Sequence, residues 1–503
     1  MPSSQLGSAS GWASYGCRDQ GREALPLVFS VLHYMYDGDG VLSRGALKAL
    51  KAYIACCAEV GEGGNWARCL EANVMPVVKN GVLSKSDAPR RAFVLLFRTL
   101  ATTFGPTHGS HPNPSPLLFG DLEALIGQDD EVDFFFNVTH VQIHRRTRAL
   151  LRLRKEFESS SLTFSGATLS NFLAPICTHP IFEAAKSTDE ALALEGGKTL
   201  GAVAGGMKWG AYTGTLALFF AQIPRHAEVE RFLVAALCSV LDNFSFRVAG
   251  EGEEAVDGVV ALKSVEKILD KIEKLLFVEG KDKDGSRTKS LRAPIALAIL
   301  KLIQMLPKES FEGKFESLVL SVCKELKSKE SNSRDVARST LGRISVASGL
   351  ENFGVILRNL SITLSEGYQL HVRSATLHTC VLAYSEDKGS REEASKGGAL
   401  DSWISEIVDL VQEDIFGMAA EMKETKDVGK RVIKEAVGVR SYDTVELLSG
   451  MVRFRPDEEG NAVRALVDPF INRLNDEESK VNMAVIKKVA EVRGSRSEGE
   501  TSY

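Results

Sequence analysis

LRAPIALAIL at residues 291–300, VARSTLGRI at 336–344 and HVRSATLHTCVL at 371–382 are three versions of one pattern. In each, an arginine (Arg292, Arg338, Arg373) is followed by a small residue and then by apolar positions three and four apart. That spacing predicts an amphipathic helix with one apolar stripe. A second amphipathic segment follows each first one. The predicted pairs are 290–306 with 311–327, 333–348 with 353–364, and 368–383 with 400–416. The arginines lie 46 and 35 residues apart. Helix pairs recurring at such a period predict an all-α, HEAT/armadillo-like helical-repeat solenoid, because one pair cannot bury its stripe without the next.

The first half reads the same way. Residues 25–36, 43–60, 89–104, 134–157, 192–203 and 209–223 carry helical periodicity, and no run of alternating strands with hairpin turns stands out. GPTHGSHPNPSP at 105–116 predicts a loop, AGEGEEAVDG at 249–258 an acidic linker, and the polar stretch 385–398 a flexible loop. The expected division is a disordered N-terminus at 1–20 and a helical region without placed motifs at 21–125. Helical repeats follow at 129–248, then an acidic linker with an amphipathic helix at 249–289. HEAT-like pairs occupy 290–420, C-terminal helices 421–492, and a disordered tail 493–503.

Composition limits the functional classes. Hydrophobic content of 44% fits a folded protein, and a net charge of −5 gives no global drive toward nucleic acid. Any RNA contact must therefore come from a local patch. The eight cysteines form no CxxC pair, and MPSSQLGSASGW lacks the basic and apolar runs of a secretory signal. Reduced thiols in the nucleocytoplasm are expected. Apolar runs such as 215–223 are too short to span a bilayer.

Motifs of catalysis or metal binding fail residue by residue. YDGDGVLS at 36–43 imitates half of an EF-hand loop, but Met35 and Ala46 occupy the end positions where carboxylates must stand. A glycine-rich turn between helices is the better reading. KDKDGSR at 281–287 fails likewise, with Gly280 and Leu291 at its ends, and reads as a solvated loop. His140 and His144 have HxxxH spacing on one expected helix face, yet Val141 replaces the glutamate of a zinc protease. Cys56, Cys57 and Cys69 read as buried small residues. Gly201, Gly205 and Gly206 suggest close helix approach rather than a nucleotide turn. No phosphate loop or nucleophile elbow is present in the sequence, so no enzyme, metal or cofactor is expected.

One stretch carries concentrated charge. FFFNVTHVQIHRRTRALLRLRKEF at 134–157 reads as a single helix with an apolar entry and a basic end. Arg145, Arg146, Arg148, Arg152, Arg154 and Lys155 crowd its second half, while Asp129, Asp130, Glu131 and Asp133 precede it, as the helix dipole favours. Two readings follow. The arginines can pair with acidic side chains of the next repeat, or they can contact phosphates in a salt-dependent, sequence-independent way.

FFFNVTHVQIHRRTRALLRL resembles the entry segment of the down-regulated-in-metastasis family, the U3 small nucleolar RNA-associated protein 20 scaffolds of the small-subunit processome. The resemblance continues in order through LAPICTHPIF at 173–182, Trp209 and Tyr212, RAPIALAILKLIQMLP at 292–307, RDVARSTLGRI at 334–344, EGYQLHV at 366–372 and RSYDTVELL at 440–448. It covers roughly residues 129–455. Family members are several-fold longer, so a fragment, truncated or reduced member is expected. The resemblance implies a non-catalytic scaffold in the nucleus and nucleolus. It implies binding to pre-ribosomal RNA, the U3 small nucleolar RNP and other small-subunit processome proteins, with no membrane or small-molecule substrate. The alternative is a HEAT-repeat adaptor between proteins, in transport or trafficking, without RNA contact.

Overall fold

A computed structural model describes residues 25–37, 40–59, 69–107, 118–184, 189–249, 259–281, 287–394, 399–416, 435, 440–453 and 462–475. The expected terminal tails and the loop segments 108–116 and 250–258 lie outside these residues. The protein is all-α and built of helical repeats. It forms two compact units, Met1–Arg247 with Val256–Val260, and Val248–Ala255 with Ala261–Tyr503.

The first unit begins with α1 (Leu25–Tyr34) and α2 (Gly40–Glu59), joined by the turn that Asp37 enters. Asp39 of the EF-hand-like segment is outside the described residues. A π-helical stretch, Leu70–Val74, runs into α3 (Met75–Val82), and α4 (Asp87–Phe104) packs against both α2 and α3. Cys56, Cys57 and Cys69 are buried here, as expected for small core residues. Next come α5 (Phe134–Val138) and α6 (Ile143–Glu158), then α7 (Ala174–Glu183), α8 (Glu190–Gly205), α9 (Trp209–Gln222) and α10 (Glu230–Asp242).

Successive rungs stack through α8, which packs on α6 at one side and on α10 at the other. Glycines make the second approach possible. A Cβ on Gly201 would lie 2.4 Å from the Ser239 carbonyl oxygen, and one on Gly197 would lie 3.1 Å from the Ala236 Cβ. The expected role of Gly201 in close helix contact is therefore met. Between α9 and α10, the buried Tyr212 hydroxyl donates to the Val240 carbonyl at 3.0 Å. Trp209 stacks beside Tyr212, and Phe244 and Phe246 close the cluster edge-on.

In the second unit the repeat is plain. The first helices of the pairs are α12 (Ala293–Ile303), α14 (Ser331–Ser348), α16 (Gln369–Glu386) and α19 (Arg440–Met451), each packed on the next. Of the second helices, α13 (Lys308–Glu325) packs on α15 (Phe353–Thr363), and α18 (Ile404–Phe416) packs on α20 (Ala462–Asn475). Tyr384 ties α16 to α14 through its hydroxyl and the Ser345 carbonyl at 2.8 Å.

Two expectations are corrected in this unit and just before it. Strands are present: the two-residue β1 (Arg247–Val248) and β2 (Val259–Val260), and an antiparallel hairpin of β3 (Phe277–Lys281) and β4 (Arg287–Leu291). The hairpin flanks KDKDGSR, whose residues 282–286 lie outside the described ones, and takes Ser290 and Leu291 from the expected helix start. Its strands are short and charged, so they carry no alternating apolar signal. It follows the expected amphipathic helix, α11 (Leu262–Glu273). The stretch expected to be a flexible loop from 385 is helical through 392. The α16 helix runs to Glu386, and α17 (Lys388–Glu392) starts at once because the Asp387 carboxylate accepts from the Ser390 backbone N–H at 2.9 Å.

The arginines of the repeated pattern are structural. Arg338 donates to Glu435 and to Asp335, each at 2.7 Å, and Arg334 makes a paired contact with Glu435 at 2.8 Å. Arg373 pairs with Glu413 at 2.5 Å, and Arg292 donates to the Leu275 carbonyl at 2.9 Å. Glu435 is buried among the two guanidinium groups. Burial pushes its carboxyl up, but the Arg334, backbone and Arg338 hydrogen bonds prevail and hold it down at about 2.

Three outcomes are expected in urea or thermal unfolding. Gly201→Ala should cost about 1–3 kcal/mol, because the new methyl meets backbone rather than a yielding side chain. Gly313→Ala, an exposed position in α13 with open space around it, should gain up to about 1 kcal/mol. Glu435→Gln should lose about 3–5 kcal/mol by leaving the buried Arg334 guanidinium without its counter-charge, while Arg338 keeps only Asp335. Since the folded carboxyl lies below its ordinary value of 4.5, its stabilisation is present above that pH and fades as pH falls through about 2. The Gln variant should lack this part of the acid sensitivity.

Candidate nucleic-acid interface

The stretch 134–157 forms two helices, which corrects the expectation of one. Its first helix, α5, is capped as the acidic lead-in suggested. The buried Asp133 carboxylate accepts from the Phe135 and Phe136 N–H groups at 3.0 and 3.3 Å, and also receives the Arg98 guanidinium at 3.0 Å. The chain leaves the helix at Thr139 (φ −115°, ψ 18°) and re-enters it after Gln142. The β-branched residues Val138, Thr139, Val141 and Ile143 disfavour helix at this point.

The break frees carbonyls that a continuous helix would have used internally. Arginine supplies replacements. Arg91 of α4 donates from Nε and Nη2 to the Thr139 carbonyl at 3.1 and 2.7 Å, and Arg146 donates from Nε to the His140 carbonyl. His140 therefore sits in the break and His144 on α6, so the two do not share a helix face as their spacing had suggested. His140 Nδ1 accepts from the Gln142 N–H at 3.0 Å. Its ring is held below the ordinary histidine value by desolvation and by the Arg145 and Arg91 charges.

The six basic side chains divide into three groups. Arg146 and Arg154 are tied into the fold. Arg146 supports the break and lies 4.0 Å from Asp87, while Arg154 donates to Glu195 of α8 at 2.7 Å and to Glu158 at 2.6 Å. The Glu195 contact is the pairing with the next rung that the structural reading anticipated. Arg145 and Arg152 are partly engaged: Arg145 approaches the Glu131 carboxylate at 3.4 Å, and Arg152 donates to the Glu131 carbonyl at 3.2 Å. Arg148 and Lys155 are exposed and have no ion-pair partner among the described residues.

Helix geometry unites four of them. Arg145, Arg148, Arg152 and Lys155 stand at i, i+3, i+7 and i+10, along one face about 15 Å long. Ala149, Leu150 and Leu153 bury the adjacent face against α8. The arrangement can neutralise a row of negative charges laid along α6. Arg91 and Arg98 on α4, which were not singled out in the sequence, hold the loop before the stripe.

The fold and this face define a helical-repeat protein with a basic stripe on one rung. Residues 282–494 match the U3 small nucleolar RNA-associated protein 20 domain. The chain is also similar to U3 small nucleolar RNA-associated protein 20 of Saccharomyces cerevisiae, 27% identical over 451 residues, and to that of Schizosaccharomyces pombe, 24% over 455 residues. Each alignment covers 86% of this chain and 17% of the relative, so the chain spans about one sixth of the length of either.

The division of the six basic residues can be measured directly. Arg148→Glu with Lys155→Glu should leave the unfolding midpoint unchanged, as both are exposed. Arg154→Ala should cost about 1–2 kcal/mol, from the loss of its hydrogen-bonded pair with Glu195.

Proposed function

We propose that this chain is a non-catalytic scaffold segment of the small-subunit processome, acting in ribosome biogenesis and small-subunit rRNA processing in the nucleolus. What carries the reading is the similarity over 86% of the chain to two relatives named as U3 small nucleolar RNA-associated proteins. In this reading the helical array binds pre-ribosomal RNA or the U3 RNP together with processome proteins. It needs no active site, since stacked helices present extended surfaces to many partners.

Within that role, we assign RNA backbone contact to Arg145, Arg148, Arg152 and Lys155. Their common face and the exposure of Arg148, Arg152 and Lys155 support it, and Arg146 and Arg154 drop out because their charges serve the fold. The protein-only adaptor draws support from the net charge of −5 and from the same two internal pairs.

Filter binding of pre-rRNA fragments distinguishes the two readings. Wild type should be retained in a salt-dependent way. The fourfold change of the stripe to Glu should weaken retention and flatten the salt slope by roughly three, at about 0.7 per lost phosphate contact on single strands. Equal retention with an equal slope in both proteins removes RNA contact from this helix. Recovery of processome proteins without RNA would then favour the adaptor.

A further inference from the structure

The basic row on α6 runs past a pocket that phosphate contact leaves unused. In the first unit, α6, the 3₁₀ turn Gly120–Leu125 and the loop after that turn enclose about 280 Å³. Leu125, Phe134, Ala149 and Leu153 are its buried walls, and Val132, 52% exposed, and Leu162 complete the apolar lining. The volume lies just under the roughly 300 Å³ at which sites for drug-sized molecules begin, so it suits a single flat ring system or one side chain.

Backbone contacts hold this pocket in shape. The Asp129 carboxylate accepts from the Glu131 and Val132 N–H groups at 2.6 and 3.2 Å, which fixes the loop. Arg152 Nη1 donates to the Glu131 carbonyl at 3.2 Å and ties that loop to α6. Gly127 runs so close to Asp133 that a Cβ would meet its backbone nitrogen at 2.4 Å. A site formed before its ligand arrives loses little entropy on binding.

Two charged lining residues decide what enters. Arg152 belongs to both the pocket and the basic row, with Arg148 one turn before it and Lys155 one turn after. Its Nε and Nη2 groups donate to nothing among the described residues. Glu156 follows Arg152 by one turn on the same helix, and among the described residues its carboxylate receives only the Ser161 hydroxyl. Acceptor sites on it are therefore left over. A carboxylate in the lining repels a phosphate, and an aliphatic side chain engages neither charge. An unpaired nucleobase engages all three features: its faces meet apolar walls and a guanidinium plane, and its pairing edge carries N–H donors. A strand that lays its phosphates on Arg148 and Lys155 brings its bases beside Arg152.

We propose that this pocket takes one unpaired base of a single RNA strand, stacked on the Arg152 guanidinium and donating an N–H of its pairing edge to Glu156. The proposal rests on the RNA contact at α6 proposed above. It adds that the strand is single, because a duplex keeps the pairing edge engaged.

The test titrates the full chain with three synthetic RNAs about ten nucleotides long: a single strand, a base-free ribose-phosphate strand and a duplex. Fluorescence anisotropy at fixed salt should show the single strand bound at least about fivefold tighter than the base-free strand, with equal salt slopes. Ala124→Phe, at an exposed lining position, fills the pocket without changing charge. It should bring the single strand down to the base-free level, leaving the other two affinities and the melting curve unchanged. Glu156→Ala should narrow the ratio of single to base-free strand even though it removes a negative charge. A 2-aminopurine in the single strand should brighten on binding wild type and stay dim with Ala124→Phe. Equal affinity of wild type for base-bearing and base-free strands, with the salt slope retained, overturns the pocket proposal and leaves phosphate contact standing. A ratio that survives in folded Ala124→Phe also overturns it. If no strand binds in a salt-dependent way, the RNA reading fails and the pocket proposal fails with it. Should a leucine amide bind wild type but not Ala124→Phe while bases make no difference, the pocket takes an apolar side chain of a protein instead.

Discussion

A helix pair in this protein leaves an apolar stripe that only its neighbours can cover, and that need governs both units. In the first unit α8 is the joint. It contributes Thr199, Leu200, Val203 and Ala204 to the interior and lacks Cβ atoms where α10 presses closest. Gly201 is fixed by backbone rather than by a side chain, which makes the approach intolerant of change. In the second unit the stacked first helices do the same with larger residues, and hydroxyl-to-carbonyl bonds such as Tyr384 to Ser345 lock their register. Burial provides the driving force and the buried polar bonds provide uniqueness, because each unpaired group would cost more than the bond returns.

Arginine serves this architecture in a way that complicates any reading from charge. Long side chains on a stacked helix reach the neighbouring rung as readily as they reach solvent. Arg154 crosses to Glu195, Arg373 to Glu413, and Arg334 with Arg338 enclose Glu435. Each pair confines charge inside the array, where it cannot recruit a polyanion. A basic sequence is therefore a list of candidates. Which of them remain available is decided by helix phase and by the acids that fold places nearby.

That distinction marks what the sequence made legible. The helical periodicity, the paired pattern around Arg338 and Arg373, the buried Cys56 and Cys57, and the close approach at Gly201 all follow from spacing and residue size. Local periodicity could not show the break at Thr139–Gln142, because the apolar pattern continues through it while the cost of interruption is met by Arg91, 48 residues away in sequence. The β3–β4 hairpin escaped for a related reason: its stability comes from pairing, and neither strand shows an alternating face. The α17 helix needed one cap, from Asp387, that looked like ordinary loop polarity. Of the six basic residues that the sequence singles out, the structure ties Arg146 and Arg154 into the fold and leaves Arg148 and Lys155 exposed.

The break and the exposed row are neighbours along the chain. On α6, Ala149, Leu150 and Leu153 take the inward face, while Arg148 and Lys155 turn outward. Arg146 is the residue that links the two effects. By donating to the His140 carbonyl it stabilises the interruption, and in doing so it gives up its own charge to the fold. The same few residues thus account for the exposed row and for its being shorter than the sequence suggested. The exposed row on α6 is held in place by the residues that start the helix, with Arg91 and Arg146 as its supports.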